Sequence, residues 1–411
     1  MCGLYLRDTA HAEPAPVAGG FIQEFAGRLQ QAAGYEPQRL DAGLWVLPSP
    51  PDTFARIADT FVAESGNVTP VLHATMAEAK AEGSRVIEAR VLAWNEPLVV
   101  RSGAVVDCSG EATAAALAGA AVEEGAADQV PALVFSLENV DPSVAERGLL
   151  EVRRELRRGV EEGRLAAACE RLSLVPGTGS DGRLALKLNL PPAAPGAASW
   201  KRVADWERQA RALVQELCRF LVDNTVLCRN ARLRSVAPQL GIRSGRRIRG
   251  RARLADQDVL GARKFAQGIA RGCWAMERWG AGAPTSSRLT TSNDPWGTHG
   301  NPATVSRLEV AAPEAALSER TRRGTSHGPE MVYFEEGGYY EIPLDCLRPA
   351  ELDNVWAAGR CFSAEAGAMT SARVIGTALA TGWAAGTAAA FQAMGRPVDE
   401  AVEAVRRQMK Q

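Results

Sequence analysis

Residues 354–392 read NVWAAGRCFSAEAGAMTSARVIGTALATGWAAGTAAAFQ, and this stretch decides the fold class. The apolar run at 355–358 is typical of a short buried strand, and it ends at Gly359. Small residues follow, and then a long run of Ala, Gly and Thr with helical spacing. A strand that passes through a glycine turn into a helix is a phosphate-binding arrangement, because free N–H groups and the helix dipole favour an anion. The stretch therefore predicts an α/β protein with a ligand at this turn.

The predicted helix contains three glycines, each of which costs about 0.5–1 kcal/mol relative to alanine. We expect such a helix where a backbone or a ligand approaches closely, and a tightly packed core helix without a ligand is the alternative. A membrane span is a second alternative, because residues 374–391 carry no charge. The few large aliphatic residues favour a buried helix instead. The glycines are Gly376, Gly382 and Gly386, and the predicted packed face is Ala378, Gly382, Ala385 and Ala389.

The composition is that of an ordinary globular protein, with 46% hydrophobic and 23% charged residues over 411 positions. The net charge of −1 provides no attraction for nucleic acid or an anionic membrane. Eight scattered cysteines without a C-x-x-C pair, and four histidines, provide no metal cluster. Reduced thiols in a chain without a signal peptide predict a cytoplasmic protein with no bound metal.

A second strand–glycine turn–helix unit stands earlier in the chain. Residues 68–102 alternate like three antiparallel strands with a hairpin at 82–84, and residues 104–108 (AVVDC) read as a buried strand. Ser109, Gly110 and a predicted helix at 112–118 follow. Asp107 and Gly110 are candidate ligand residues, because ligands of α/β proteins bind at the carboxyl ends of strands. A plain turn capped by Ser109 is the alternative.

Residues 126–340 differ in composition and patterning from the segments on either side. They contain charged amphipathic helices at 142–172 and 200–225, and six arginines within residues 243–253. We expect these arginines to bind an anionic substrate or cofactor or to pair with acidic helices, and no aromatic residues interleave them as in a nucleic-acid site. Residues 280–330 are rich in Gly, Pro, Ser and Thr, which predicts a long loop system.

One literal G-x-G-x-x-G occurs, at residues 177–182 (GTGSDG). A dinucleotide fingerprint needs a strand before this motif and a helix after it. Residues 183–190 instead alternate like a strand, so the motif is interpreted as a hairpin turn.

The closing stretch AAGRCFSAEAGAMTSARVIGTALATGWAAGTAAA resembles the end motif of the FAD-dependent oxidoreductase family, whose glutathione-reductase-type FAD domain is shared with the fumarate reductase flavoproteins. VVDCSG at 105–110 resembles the family's DATG turn, and RSGRRIRG at 243–250 resembles its arginine motif. Residues 256–259 and 340–343 are similar to its D-x-x-V segment and to the strand before the closing motif. The resemblance spans residues 19–392.

The resemblance implies a Rossmann-like FAD/NAD(P)-binding domain with an inserted α+β region at 126–340 that caps the flavin. It also implies FAD as cofactor and hydride transfer between a small organic substrate and FAD. Gly359 permits close backbone approach, and Arg360 can bind a pyrophosphate or ribityl oxygen. A helix that starts near 370–373 is implied to direct its N–H groups at the flavin ring, with Gly376 and Thr377 in contact with it. The cofactor-binding candidates are Asp107, Gly110, Gly359, Arg360, Arg373, Gly376 and Thr377.

Five residues of the inserted region are candidates for substrate chemistry. Arg246 and Arg247 could bind an anion, and His299, His327 and Tyr339 could transfer protons. Each has a plainer alternative as an exposed or ion-paired side chain.

The family begins with a strand, G-x-G-x-x-G, a helix and an acidic residue, and this chain does not. Its first residue is expected to correspond to a point about forty to sixty residues into the domain, from the usual length of a βαβ unit. A misassigned start codon, a truncated gene and a partner chain that supplies the unit are the three explanations. The predicted divisions are 1–125 (incomplete first part of the FAD domain), 126–340 (cap), 341–395 (closing part) and 396–411 (terminal helix). The alternative function is a non-catalytic remnant or one subunit of a split flavoprotein, completed by a homo-oligomer or a partner chain.

Overall fold

The computed structural model describes residues 1–8, 13–125, 129–176, 178, 181–190, 200–278, 321–322 and 330–410. The predicted loop at 280–330 lies outside these residues except for 321–322 and 330, as do His299 and His327. The helices are α1 (Phe21–Ala33), α2 (Pro51–Ser65), α3 (Thr113–Leu117), α4 (Ala145–Glu161), α5 (Trp200–Asn224), α6 (Asp256–Leu260), α7 (Ala366–Ala372), α8 (Ile375–Ala393) and α9 (Val398–Met409). The strands are β1 (Gln38–Arg39), β2 (Trp45–Val46), β3 (Ala74–Glu82), β4 (Arg85–Ala93), β5 (Glu96–Val100), β6 (Val105–Asp107), β7 (Val122–Glu123), β8 (Ala132–Glu138), β9 (Leu172–Leu174), β10 (Arg183–Asn189), β11 (Arg232–Val236), β12 (Arg247–Ile248), β13 (Gly268–Gly272), β14 (Met276–Arg278), β15 (Thr321–Arg322), β16 (Glu330–Val332), β17 (Tyr340–Pro343) and β18 (Val355–Ala357).

Two parallel strands position the predicted glycine turns at Gly110 and Gly359. β18 pairs with β6, so that Val355 lies opposite Val105 and Ala357 opposite Asp107. Trp356 is fully buried, and its indole N–H donates to Gln392 at the end of α8 over 3.0 Å. Both predicted strands are confirmed. Because they run in the same direction, their following turns lie side by side at one edge of the sheet.

The helix after this turn begins later than predicted. α7 ends at Ala372, and α8 begins at Ile375 after a bend of 95°. Val374 is extended at the break, and the N–H of Gly376 donates to the carbonyl of Cys2 over 2.9 Å. The predicted start near 370–373 is therefore wrong, because the N-terminal segment of the chain fixes the first turn of α8.

The three glycines of α8 have different surroundings. A Cβ on Gly376 would lie 2.3 Å from the carbonyl oxygen of Gly3, so close backbone approach is confirmed there. A Cβ on Gly382 or Gly386 would meet nothing within 4 Å, and the expected close packing at these two positions is wrong. The buried face is Gly376, Thr377, Ala380, Thr381, Ala384, Ala385, Ala388 and Ala389, which shares only its last members with the predicted face.

Within the described residues, no single helix is long and apolar enough to cross a membrane. α7 and α8 together meet that criterion only as the bent pair.

The predicted hairpin between β3 and β4 is confirmed, and β5 extends it to a three-stranded antiparallel sheet. Val91 lies opposite Leu98, and Ala89 lies opposite Val100, so that these four side chains share an apolar face. α3 packs against β3, but Leu98 and Val100 remain exposed and Trp94 in the adjoining turn is 76% exposed.

The inserted region contains a four-stranded antiparallel sheet in the order β11-β8-β10-β9. α4 and α5 pack on this sheet and enclose a core of its own, to which Trp206, Leu217 and Leu221 of α5 contribute. The strand predicted after the G-x-G-x-x-G motif is confirmed as β10, while Gly177, Gly179 and Ser180 of the motif lie outside the described residues.

Residues from Leu254 onward return to the first core, where β13 pairs with β17. The domain divisions 1–125, 126–340, 341–395 and 396–411 stay a prediction. The two cores favour a shorter insertion, close to residues 130–242.

Candidate functional site

The turn after β6 is held by the carboxylate of Asp107. One oxygen, Oδ1, accepts from the backbone N–H and the hydroxyl of Ser109 over 3.0 and 2.7 Å, and Oδ2 accepts from the N–H of Ala115 in α3 over 3.1 Å. Gly110 follows with a φ of 74°, a left-handed conformation that favours glycine. Asp107 thus shapes the turn and caps α3, because both of its oxygens are engaged within the unit.

Arg360 joins this turn to the inserted region. A Cβ on Gly110 would lie 2.5 Å from Nη2 of Arg360, so the guanidinium packs directly against the glycine. Its Nη1 donates to the carbonyl of Ile242. The arginine-rich segment that follows Ile242 also contacts this turn, because the N–H of Arg246 donates to Glu111 over 3.2 Å. The arginine-rich segment is therefore docked on the Gly110 turn.

Cys361 connects the two turns. Its Sγ lies 3.3 Å from the carbonyl oxygen of Asp107 and 3.2 Å from that of Ala358. Burial raises the pKa of Cys361 to about 12, so this side chain remains a thiol near neutral pH.

The turn after β18 is hydrogen-bonded to α8 through Thr381, which is bonded in turn to Thr377. Gly359, with a φ of 70°, donates its N–H to Oγ1 of Thr381 over 3.1 Å, and this hydroxyl donates to the carbonyl of Thr377 over 3.0 Å. Thr377 is fully buried, and its own Oγ1 has no hydrogen-bond partner in the described part of the chain. A Cβ on Gly359 would meet only Ala378, at 3.8 Å. An unpartnered buried hydroxyl and an open glycine are features of a site that a ligand completes.

A second group of polar residues adjoins the N-terminus of α8. Arg373, in the break before α8, donates to Glu277 over 2.9 Å and to Gln129 over 3.1 Å. Glu277 is fixed in turn, because its N–H donates to Thr370 of α7 over 2.9 Å. Nε of Arg373 and Nε2 of Gln129 are buried and find no acceptor among the described residues.

Two further cations, Lys187 and Arg243, interact electrostatically with this group. Arg243 donates to Asn189 of β10 over 2.8 Å, and the charges of Glu277 and Arg373 act on it. Lys187, also in β10, interacts with Arg243, Glu277 and Arg373. Burial lowers the pKa of both Lys187 and Arg243.

The sequence matches the model of the FAD dependent oxidoreductase family over residues 1–303 and 309–409. The chain belongs to this family. FAD is therefore its cofactor. The relation to glutathione-reductase-type and fumarate reductase domains, and the absence of an N-terminal unit, stay predictions.

Solved structures similar to this flavoprotein share little sequence with it. They include a geranylgeranyl bacteriochlorophyll reductase-like protein of Thermoplasma acidophilum, at 13% identity and a TM-score of 0.29 over 51% of this chain and 45% of that one. A triple mutant of a flavin-dependent brominase matches at 12% identity and a TM-score of 0.37, over 95% and 72%. A myxobacterial chondrochloren halogenase matches at 10% identity and a TM-score of 0.38, over 97% and 71%. The chain spans less than half the length of the first of these. No curated protein matches the sequence.

Four of the cofactor-binding candidates, Asp107, Gly110, Gly359 and Arg360, lie in the two adjacent turns. Gly376 and Thr377 lie in the first turn of α8 beside Gly3, and Arg373 lies before that turn beside Gln129 and Glu277. The substrate candidates are dispersed. Arg247 is buried in β12, and Arg246 is half-buried beside Glu111. The ring of Tyr339 is covered by Lys264 at 3.2 Å and Arg271 at 4.7 Å from its centroid.

Sequence reasoning missed the residues that surround Arg373, namely Cys2, Gln129, Lys187, Arg243 and Glu277. Arg243 belongs to the arginine run that the sequence singled out, but the others come from separate segments with no local motif. Among the described residues, no group of three or more His, Cys, Asp or Glu could hold a metal ion.

Proposed function

We propose that this flavoprotein transfers a hydride between a small organic substrate and FAD, with the flavin end of FAD at the edge formed by Gly110, Gly359 and the N-terminus of α8. The observation that carries the proposal is the unpartnered hydroxyl of Thr377, which is fully buried in the first turn of α8, one turn before the Thr381 hydroxyl that binds Gly359. When bound, FAD supplies the acceptor or donor for the hydride.

The chain's own groups have distinct roles in this proposal. Thr377 hydrogen-bonds the cofactor, while Thr381 holds Gly359 in position from the next turn of α8. The 19-residue α8 presents the positive end of its dipole to the site. Asp107 and Arg360 keep the two turns rigid and packed together. Arg243, which donates to Asn189 of β10, and its neighbours exclude water from the opposite side.

A flavin-fluorescence titration and a potential measurement test this proposal together. We expect saturable binding of FAD by the chain, and a more positive reduction potential for bound FAD than for free FAD, because the helix dipole favours the more negative reduced form. Absence of FAD binding, or a potential more negative than that of free FAD, would contradict the proposal.

A second candidate is one subunit of a split flavoprotein, or a non-catalytic remnant, and two observations favour a missing layer. In the described part of the chain, the parallel sheet contains only β6 and β18, so each keeps an unpaired edge. The apolar face of the β3–β5 sheet is also partly uncovered, at Leu98 and Val100 beside the exposed Trp94. In this alternative, a partner chain with a nucleotide-binding βαβ unit pairs with the sheet and covers the face, and a homo-oligomer is the other arrangement. It predicts no FAD binding by the chain alone, so saturable binding would refute it.

The cytoplasmic location also stays a proposal. All eight cysteines are free, which supports a reducing compartment.

A further inference from the structure

The cations around Arg373 outnumber the carboxylates that could neutralise them. Lys187, Arg243 and Arg373 interact electrostatically with one another, and in the described part of the chain Glu277 is the one carboxylate that acts on all three. The thiol of Cys2 does not compensate, because burial raises its pKa. Partly buried charges without counter-charges are unfavourable, so this excess of two positive charges favours an anion.

The unsatisfied hydrogen-bonding groups of the cluster also favour an anion. Nε of Arg373 and Nε2 of Gln129 are buried donors without acceptors among the described residues. Both unfilled groups are donors, which indicates that the missing partner supplies acceptor oxygens.

The cluster adjoins the proposed flavin edge through Cys2 and Arg373. The carbonyl of Cys2 accepts the N–H of Gly376 in α8, and its thiol interacts electrostatically with Lys187, Glu277 and Arg373. Lys187 and Arg243 come from the inserted region, whereas Arg373 stands between α7 and α8. The cluster therefore lies where the inserted region faces the start of α8.

We propose that Lys187, Arg243 and Arg373 bind the anionic portion of the substrate, and that the substrate carries two negative charges, as a dicarboxylate or a phosphate ester does. The inference rests on the proposed function, because it assigns the substrate class of that same site. It replaces Arg246 and Arg247 as anion ligands, since Arg247 is buried in β12 and the backbone of Arg246 is docked on Glu111.

The experiment is a thermal-shift and calorimetric titration of the FAD-loaded protein with malonate and, separately, inorganic phosphate, at ionic strength matched with sodium chloride. We expect saturable binding of at least one dianion. Preference for malonate identifies a dicarboxylate substrate, and preference for phosphate identifies a phosphate ester. Binding of neither, or stabilisation equal to that by sodium chloride, would overturn the proposal.

Variants that remove a cation and a variant that removes the carboxylate should change dianion affinity in opposite directions. Lys187→Met and Arg243→Met should each weaken dianion binding about tenfold or more, since each removes a charge-assisted contact. Glu277→Gln removes the opposing carboxylate and should strengthen binding. Lys80→Met, which removes an exposed lysine paired with Glu82 at 3.6 Å, is the matched control and should change nothing. Weaker binding in Glu277→Gln, or equal effects of Lys187→Met and Lys80→Met, would contradict a local anion site.

A parallel FAD titration separates this inference from the proposed function. FAD affinity should be unchanged by Lys187→Met and by saturating malonate or phosphate. If the dianion displaces FAD, the cluster binds the cofactor's own phosphates and the substrate assignment is overturned. If FAD does not bind at all, the proposed function fails, and the dianion titration of the FAD-free protein then decides whether the cluster is an anion site.

Discussion

Replacing Thr377 with valine should stabilise the FAD-free protein and weaken its binding of FAD. The substitution keeps the shape of a fully buried side chain and removes a hydroxyl that has no partner among the described residues. Thr and Val have similar helix propensities, so α8 itself is little affected. The two effects have opposite signs because the hydroxyl is unsatisfied without the cofactor and hydrogen-bonded with it.

The magnitude follows from the cost of an unsatisfied buried hydroxyl. Removing it should raise the free energy of unfolding of the FAD-free protein by about 1 kcal/mol, the low end of the desolvation penalty. Losing one hydrogen bond to FAD should weaken binding by about 1 kcal/mol, or about fivefold in the dissociation constant.

Thr381→Val is the matched control, one turn away on the same buried face of α8. The hydroxyl of Thr381 accepts from Gly359 over 3.1 Å and donates to the carbonyl of Thr377 over 3.0 Å. Its removal leaves the N–H of Gly359 without this partner, so the FAD-free protein should lose about 1–3 kcal/mol of stability.

Urea unfolding of the FAD-free proteins and flavin-fluorescence titrations provide both quantities. The reasoning is refuted if Thr377→Val lowers stability as Thr381→Val does, or if it leaves the affinity for FAD unchanged.

Two further predictions concern α8 and the cation cluster. Gly376→Ala should destabilise the protein, because its Cβ would lie 2.3 Å from the carbonyl of Gly3, whereas Gly382→Ala should stabilise it by about 0.5–1 kcal/mol; urea unfolding midpoints check both. Because burial lowers the pKa of Lys187 from its ordinary 10.5, its protonation opposes folding at neutral pH, and this penalty disappears as pH rises from the lowered pKa towards 10.5. Lys187→Met should therefore be more stable than the parent near neutral pH, and the difference should shrink in that alkaline window; a pH-independent difference would contradict the linkage.

Local patterns were sufficient for the separate elements of this fold. The two apolar runs before Gly110 and Gly359 predict the parallel pair, and the terminal helix predicted within 396–411 is observed as α9. These elements are specified by residues within themselves, through amphipathic spacing and glycine turns.

The start and the packed face of α8 could not be predicted in the same way. The break at Val374 depends on the carbonyl of Cys2, from the other end of the chain. The face was misassigned because Ala, Gly and Thr on every side of this helix leave little contrast in hydrophobicity. Gly382 and Gly386 therefore looked like packing positions although both are open.

The candidate site was predictable only where it follows from strand order. Asp107, Gly110, Gly359 and Arg360 lie together because two parallel strands place their turns side by side. Gln129, Lys187 and Glu277 meet Arg373 from three segments far apart in the chain, and none of these segments indicates the contact in its own sequence.

The most direct test of the flavin site compares two glycines of equal backbone strain. Gly359 and Gly34 have φ values of 70° and 68°, and an added Cβ is unobstructed at both, so Gly359→Ala and Gly34→Ala should each cost about 1–2 kcal/mol of stability. In a flavin-fluorescence titration, Gly359→Ala should weaken FAD binding about tenfold, because its Cβ occupies the space that the cofactor approaches, while Gly34→Ala should bind FAD as the parent does. Equal FAD affinities for the parent and both variants would contradict the account.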